Sequence, residues 1–170
     1  PTGALPICDP SGLSYTDPDP GVRQFVFPPS SPPQFDPAAE HRSLNLIAGL
    51  EPRAIYVTHY GQVREITRLA DDMHRLVTAH EQLARAESSA DAGRHAPLTA
   101  GVTALVLQEA QRHGWPLQAS EVDAVYAGDT DIHGQGLGLW VRSPGAGGLR
   151  LTRPPYWLPS GLALAPGVTP

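Results

Sequence analysis

A short apolar stretch that ends on a histidine constrains the fold of this chain more than any other segment. The stretch is Arg53-Ala54-Ile55-Tyr56-Val57-Thr58-His59-Tyr60-Gly61, and its apolar part predicts a buried strand over 54–60. From Val63 to about Glu87, apolar side chains recur every three or four residues, which predicts a long amphipathic helix. A strand followed directly by such a helix is typical of α/β proteins, in which functional side chains often follow the C-terminal ends of strands.

Further strands and helices are predicted on both sides of this pair. Upstream, an apolar run ends at Asp9 before a Pro-Ser-Gly turn, Gln24 to Phe27 forms a second strand signal, and a proline-rich loop follows. Asp36 and Pro37 are typical of a helix start, and that helix is expected to end near Leu50. Downstream, we predict a helix over 97–113, a short helix from Ser120, and a separate segment over 129–141 that contains several glycines.

Composition limits the classes of function. The chain has 170 residues, 41% of them apolar, which is enough for one ordinary hydrophobic core. Its formal net charge of −5 and its lack of a basic cluster make nucleic acid an unexpected partner. No apolar run approaches the ~18 residues that span a membrane, and no charged and apolar leader is visible. The single cysteine, Cys8, excludes an intrachain disulfide, which is compatible with a reducing cytosol, so we expect a cytoplasmic protein. Because no run is long enough to span a membrane, we expect no membrane partner.

Asp9 and His59 are the candidate functional residues. Each follows a predicted strand and precedes a turn. If the two strands are neighbours, both side chains project from the same edge of the sheet, where they are able to share a metal or act as a base and its orienting partner. The alternative is that Asp9 caps its turn and His59 satisfies a local backbone group.

The remaining histidines are interpreted as residues without a catalytic role. His74 and His80 are six residues apart and fall on different faces of the predicted helix. We expect the others on the surface or in a turn: His41, His95 and His113 exposed, and His133 in a glycine-rich turn.

Several of these segments, in this order, resemble the C-terminal half of the metallo-β-lactamase (MBL) superfamily, with a layout similar to glyoxalase II. They are DPSGLSY from Asp9, FVFP from Phe25, PQFDP from Pro33 and IYVTHY from Ile55. In that superfamily, an aspartate after one strand bridges two metals, and a histidine after a later strand ligates the second metal. The segment DTDIHGQGLGLW, from Asp129, also resembles the ending of a subgroup that carries a helical extension.

The resemblance implies a fold, a cofactor and an activity. The fold is one half of an αββα sandwich followed by a mostly helical region. Asp9 is implied as the bridging ligand and His59 as a terminal ligand of a dinuclear site that holds zinc, or alternatively iron or manganese. Such a site activates water against an ester, thioester or lactone. Tyr15, Phe25 and Tyr60 are the aromatic residues expected near the pocket of the small-molecule substrate, and the alternative for them is ordinary packing.

The chain also departs from the family pattern. The family's H-x-H-x-D-H motif, which supplies most of the metal ligands, does not occur in these 170 residues. We therefore expect residues 1–62 to be the C-terminal part of the MBL-like domain, 63–142 a helical extension and 143–170 a disordered Gly/Pro-rich tail. Such a fragment is expected to be inactive alone. The alternative is a non-catalytic binding or dimerisation module, which pairs with a second copy through its helices.

Overall fold

The computed structural model describes residues 4–7, 13–15, 23–32, 35–57, 61–87, 93–116 and 118–142. Strands and helices follow in this order: β1 (Ala4–Ile7), β2 (Leu13–Tyr15), β3 (Phe25–Phe27), α1 (Pro37–Gly49), β4 (Ala54–Val57), β5 (Gly61–Val63), α2 (Ile66–Ala86), α3 (His95–Arg112) and α4 (Ala119–Trp140). The fold is mixed α/β, and the region after β5 is helical. The predicted disordered tail lies outside the described residues.

The strands form two small sheets. In the first, β1 pairs in parallel with β4, and β4 pairs antiparallel with β5. In the second, β2 pairs antiparallel with β3. The strand predicted over 54–60 therefore forms at its first half, while residues 58–60 lie outside the described residues.

The helix predicted from Val63 was placed too early, because Gly61–Val63 form the strand β5 and α2 begins at Ile66. Val63 pairs opposite Ile55 and is buried there. One valine at this position fits a helical and a strand pattern equally well, so only the pairing with β4 decides between them. The helix itself is confirmed.

The predicted start of α1 is confirmed. The Asp36 carboxylate accepts a hydrogen bond from the Ala39 backbone N–H at 3.0 Å, and Pro37 occupies the first turn. This is the N-cap arrangement, in which a side chain satisfies an N–H that has no partner inside the helix.

The segment after 118 was predicted as two pieces, and this is wrong because α4 is continuous from Ala119 to Trp140. Its start is a capping box between Gln118 and Glu121. Glycines in α4 suggested a break, but two of them lie where a side chain would collide with neighbouring elements. A Cβ on Gly134 would lie 2.5 Å from Thr99 Oγ1, and one on Gly136 would lie 1.6 Å from the Ser30 carbonyl oxygen.

Two hydrophobic clusters form the interior, and β3 contributes to both. We call them the helical core, between β3 and the helices α2, α3 and α4, and the sheet core, between α1, β4, β5 and α2. Phe25 and Phe27 enter the helical core, whereas Val26 enters the sheet core, as expected for side chains that alternate along a strand. Helix α2 is shared in the same way, with Leu76 in one core and Met73 in the other.

The boundary predicted between residues 62 and 63 stays a prediction. On either side of it, Ile55 and Val63 belong to the same sheet core. Within the parts of the chain that the structure describes, none of the helices combines the length and apolar composition that crossing a membrane requires.

Candidate functional site

The edge of the first sheet is where the sequence predicts the functional residues. Strands β1 and β4 are neighbours and run in parallel, with Ile7 opposite Val57 at their C-terminal ends. Asp9 follows Ile7 by two residues and His59 follows Val57 by two residues. Asp9 and His59 themselves lie outside the described residues, so their assignment as metal ligands stays a prediction.

The aromatic residues predicted to line a substrate pocket fall in three different situations. Tyr60 lies outside the described residues. The backbone of Tyr15 ends β2 opposite Phe25 of β3. Phe25 is fully buried and contacts the Trp115 ring edge-on, with ring centroids 5.0 Å apart. Its surroundings are those of a core residue, and the lining role of the three aromatics stays a prediction.

A second group of polar residues joins α2 to the end of α3. Asp72 lies on α2, while Glu109 and His113 lie one turn apart on α3 and just after it. The His113 Nε2 atom lies 2.9 Å from Glu109 Oε1 and 3.5 Å from Asp72 Oδ2. One ligand atom from each residue lies within 4.8 Å of the others, a set that is able to hold a metal ion.

The carboxylates of this group already have cationic partners. Arg75 Nη2 donates to Glu109 Oε1 at 2.5 Å and to Asp72 Oδ1 at 3.0 Å, and Arg68 Nη1 donates to Asp72 Oδ2 at 3.1 Å. Two guanidinium groups balance two carboxylates, so a divalent cation would add uncompensated charge at a half-buried place. We interpret Asp72, Glu109, His113 and the two arginines as an ion-pair network that ties α2 to α3.

Replacing Arg75 with methionine is expected to destabilise the protein by about 2 kcal/mol, because Glu109 is only 2% exposed and loses its shortest cationic contact. The magnitude is set below that of a fully buried pair because the Arg75 side chain is 37% exposed and water screens it. Urea unfolding measures the change. The double variant R75M/E109Q is expected to lose less stability than R75M alone, because it leaves no unpaired carboxylate. A double variant that loses the sum of both single losses would contradict the network.

A third group of polar residues lies inside the helical core. The His133 Nδ1 atom accepts a hydrogen bond from the Ser30 backbone N–H at 2.9 Å, and the Ser30 hydroxyl lies 2.7 Å from the same atom. His80 Nδ1 donates to the Leu76 carbonyl oxygen at 2.8 Å, while its Nε2 has no hydrogen-bond partner among the described residues. Both imidazole rings contact the Phe27 ring edge-on.

Burial makes these histidines poor bases. Desolvation lowers the pKa of His80 to about 4, against a weaker opposing effect of its bond to Leu76. Desolvation, and secondarily the charge of His80, lowers the pKa of His133 to about 3. Ser30 has no exposed surface. The group therefore holds the proline-rich loop against α4 and stays neutral at physiological pH.

Two expectations about histidines are wrong. His113 was expected on the surface but is 7% exposed, because it packs parallel to the Phe25 ring and faces the carboxylates of the network. His133 was expected in a turn but lies within α4 and is buried. The spacing of Glu109 and His113, four residues apart on one helical face, was visible in the sequence as a signal for a contact. The contact of His133 with Ser30 had no sequence signal, since 103 residues separate them.

Comparison with protein-family models, with curated proteins and with solved structures found no match to this chain. The geometry described above and the motifs in the sequence are therefore the basis for any statement about function.

Proposed function

We propose that this chain is the C-terminal part of a metal-dependent hydrolase of the MBL superfamily, with half of an αββα sandwich and with Asp9 and His59 as metal ligands. The observation that supports this most is the parallel register of β1 and β4. Because Ile7 lies opposite Val57, each candidate ligand follows its strand at the same offset. Parallel neighbours end at the same sheet edge, which is where α/β proteins bind ligands.

The donor set fits such a metal in type but not in number. A carboxylate and an imidazole suit zinc, iron or manganese. Catalytic zinc normally has three protein ligands and an open position, whereas the sequence offers two candidates, Asp9 and His59. The H-x-H-x-D-H motif does not occur in the 170 residues. In this proposal, the remaining ligands come from outside this sequence, and the chain alone is inactive.

The proposed roles of the residues follow from their chemistry. The Asp9 carboxylate and the His59 imidazole bind metal from one side of the site. When bound, the metal supplies Lewis acidity to the substrate carbonyl and lowers the pKa of water. The substrates are small esters, thioesters or lactones.

Bound metal and turnover test the proposal. The chain is saturated with zinc, dialysed and assayed for metal content and for thioester and lactone hydrolysis. All measurements use a His74→Ala background, because His74 belongs to a second candidate metal site. We expect less than one zinc per chain and no turnover, because two ligands hold zinc weakly. Asp9→Asn and His59→Ala are each expected to reduce the bound zinc further. His95→Ala is the matched control, since His95 is exposed and pairs with Asp131 on another part of the surface.

Two results would contradict the proposal. One is zinc content that neither Asp9→Asn nor His59→Ala changes. The other is stoichiometric zinc binding by the isolated chain together with turnover of a thioester or lactone.

The second candidate function is a non-catalytic dimerisation module, and one observation favours it. Ile132 and Leu139 are 46% and 43% exposed and lie seven residues apart on α4, hence on one side of that helix. The apolar sides of α2 and α3 argue against a larger role, because they are buried inside the chain. A stable metal-free dimer in size-exclusion chromatography, lost on Ile132→Asp, would favour this function over the first.

A further inference from the structure

Two histidines from different helices meet at the surface between α1 and α2. The Nδ1 atoms of His41 and His74 are 2.6 Å apart. The two ring centroids are 4.9 Å apart and the ring planes differ by 14°. Both side chains are half-buried. The pair is therefore partly open to solvent.

The neighbouring asparagine determines which nitrogen carries the proton. Asn45 lies one turn after His41 on α1, and its Oδ1 atom accepts a hydrogen bond from His74 Nε2 at 3.1 Å. Since a neutral imidazole has one N–H, the Nδ1 atom of His74 keeps its lone pair, and His41 Nδ1 donates to it. Histidines that bind metal usually donate a hydrogen bond from the ring nitrogen that does not bind the metal, and this bond fixes the orientation of the ring.

An open groove with a volume of about 590 Å³ adjoins His74. Its walls include His74, Asn45 and Asp71, and Asp71 precedes His74 by three residues on α2, on the same side of the helix. The rim carries Glu51 and Arg53, so the ionisable groups that line the groove sum to a negative charge. An acidic groove attracts cations.

We propose that His41 and His74 form a binding site for a late first-row divalent cation of the class Zn²⁺, Ni²⁺ or Cu²⁺. Each histidine contributes its Nδ1 atom and water completes the coordination, while Asp71, in the groove wall, adds negative charge near the ion. Imidazole nitrogen is a preferred ligand of these ions. Ligation through Nδ1 requires the neutral His41 ring to carry its one proton on Nε2, so the proton moves from Nδ1 to Nε2 by exchange with solvent and the ligand stays a neutral imidazole.

The required movement is small. Two nitrogens bound to one tetrahedral zinc at ~2.0–2.1 Å lie roughly 3.3 Å apart. The rings, whose nitrogens are 2.6 Å apart without metal, must separate by less than 1 Å. The bound ion would then fasten α1 to α2, which are joined here by the hydrogen bond between the imidazoles and by the one from His74 to Asn45. This proposal does not rest on the hydrolase function, because none of its residues belongs to the sheet edge.

Metal titration in a His59→Ala background tests the site apart from the one proposed at the sheet edge. We expect one equivalent of zinc by calorimetry and a zinc-dependent rise in melting temperature, as for any ligand that binds only the folded state. His41→Ala and His74→Ala are expected to abolish both effects. Asn45→Ala is expected to weaken binding on the order of tenfold, because it removes the orienting hydrogen bond. His95→Ala is expected to change nothing.

Alanine at either position removes an inter-helix contact, so the metal-free melting temperature of each variant is recorded in EDTA. Electron paramagnetic resonance of the Cu²⁺-loaded His59→Ala protein gives a measurement that leaves both His41 and His74 in place. Coupling to two imidazole nitrogens is the expected spectrum. A spectrum with no or one nitrogen, or zinc binding unchanged in folded His74→Ala, overturns the proposal.

Discussion

Replacing Gly136 with alanine is expected to destabilise the protein more than adding a methyl group at any other glycine in the described part of α4. A Cβ at this position would lie 1.6 Å from the carbonyl oxygen of Ser30 and 2.7 Å from its carbonyl carbon. Both are backbone atoms, so no side-chain rotation relieves the contact, and α4 must move away from the proline-rich loop. Overpacking of this kind costs upward of ~3 kcal/mol. For a chain of this length, that lowers the melting temperature by roughly 6–12 °C.

Gly128 provides a matched control on the same helix. A Cβ there meets nothing within 4 Å, and the residue is exposed. Gly128→Ala is therefore expected to raise stability by up to about 1 kcal/mol through helix propensity alone. Thermal melts followed by circular dichroism compare both variants with the parent. If Gly136→Ala melts with the parent, α4 does not approach Ser30 as closely as described.

Acid is expected to destabilise the protein before most surface carboxylates protonate. In the unfolded chain, histidine takes up its proton near pH 6.5, whereas burial lowers the pKa of His80 to about 4 and that of His133 to about 3. Between these values the unfolded chain binds more protons than the folded one, so stability falls as the pH falls below 6.5. Each histidine contributes on the order of 3 kcal/mol to this loss.

Glu40 is expected to reduce stability on the alkaline side. Desolvation, with a smaller effect of Asp36, raises the pKa of Glu40 from 4.5 to about 8. Its Oε2 atom is buried without a hydrogen-bond partner among the described residues. Above pH 4.5 the unfolded chain loses this proton while the folded one keeps it, so stability decreases as the pH rises toward 8. The two histidines outweigh this single carboxyl below pH 6.5.

Stability is therefore expected to be highest near pH 6.5 and lower on both sides. Chemical denaturation at intervals from pH 4 to 8.5 measures the profile. Glu40→Gln keeps the acid limb and removes the decline above pH 6.5. A flat profile between pH 4 and 6.5 would show that His80 and His133 are not buried together.

Local patterns in the sequence predicted most of the helices. The apolar spacing of α2 placed Leu69, Met73 and Leu76 inward, and all three are buried. Such spacing follows from the helical repeat alone. The continuity of α4 was missed because a glycine lowers helix propensity, and the sequence does not show that Ser30 lies against Gly136. Strand β5 was missed because it is three residues long and depends on pairing with β4.

The candidate sites differ in how far sequence predicts them. The hypothesis that Asp9 and His59 share a site requires their two strands to be neighbours in one sheet. Strands β1 and β4 are neighbours. In contrast, the contact between His41 and His74 joins positions 33 residues apart. Each histidine alone has the pattern of a surface residue, and only the packing of α1 on α2 brings them together.

The alternation of β3 between the two cores has a consequence for how the protein unfolds. Phe25 and Phe27 point into one cluster and Val26 into the other, and α2 borders both. If one cluster opened alone, β3 or α2 would move and its side chains would leave the other cluster as well. Unfolding of the described region is therefore cooperative across both clusters, and hydrogen exchange in α1 and α3 should report the same global opening.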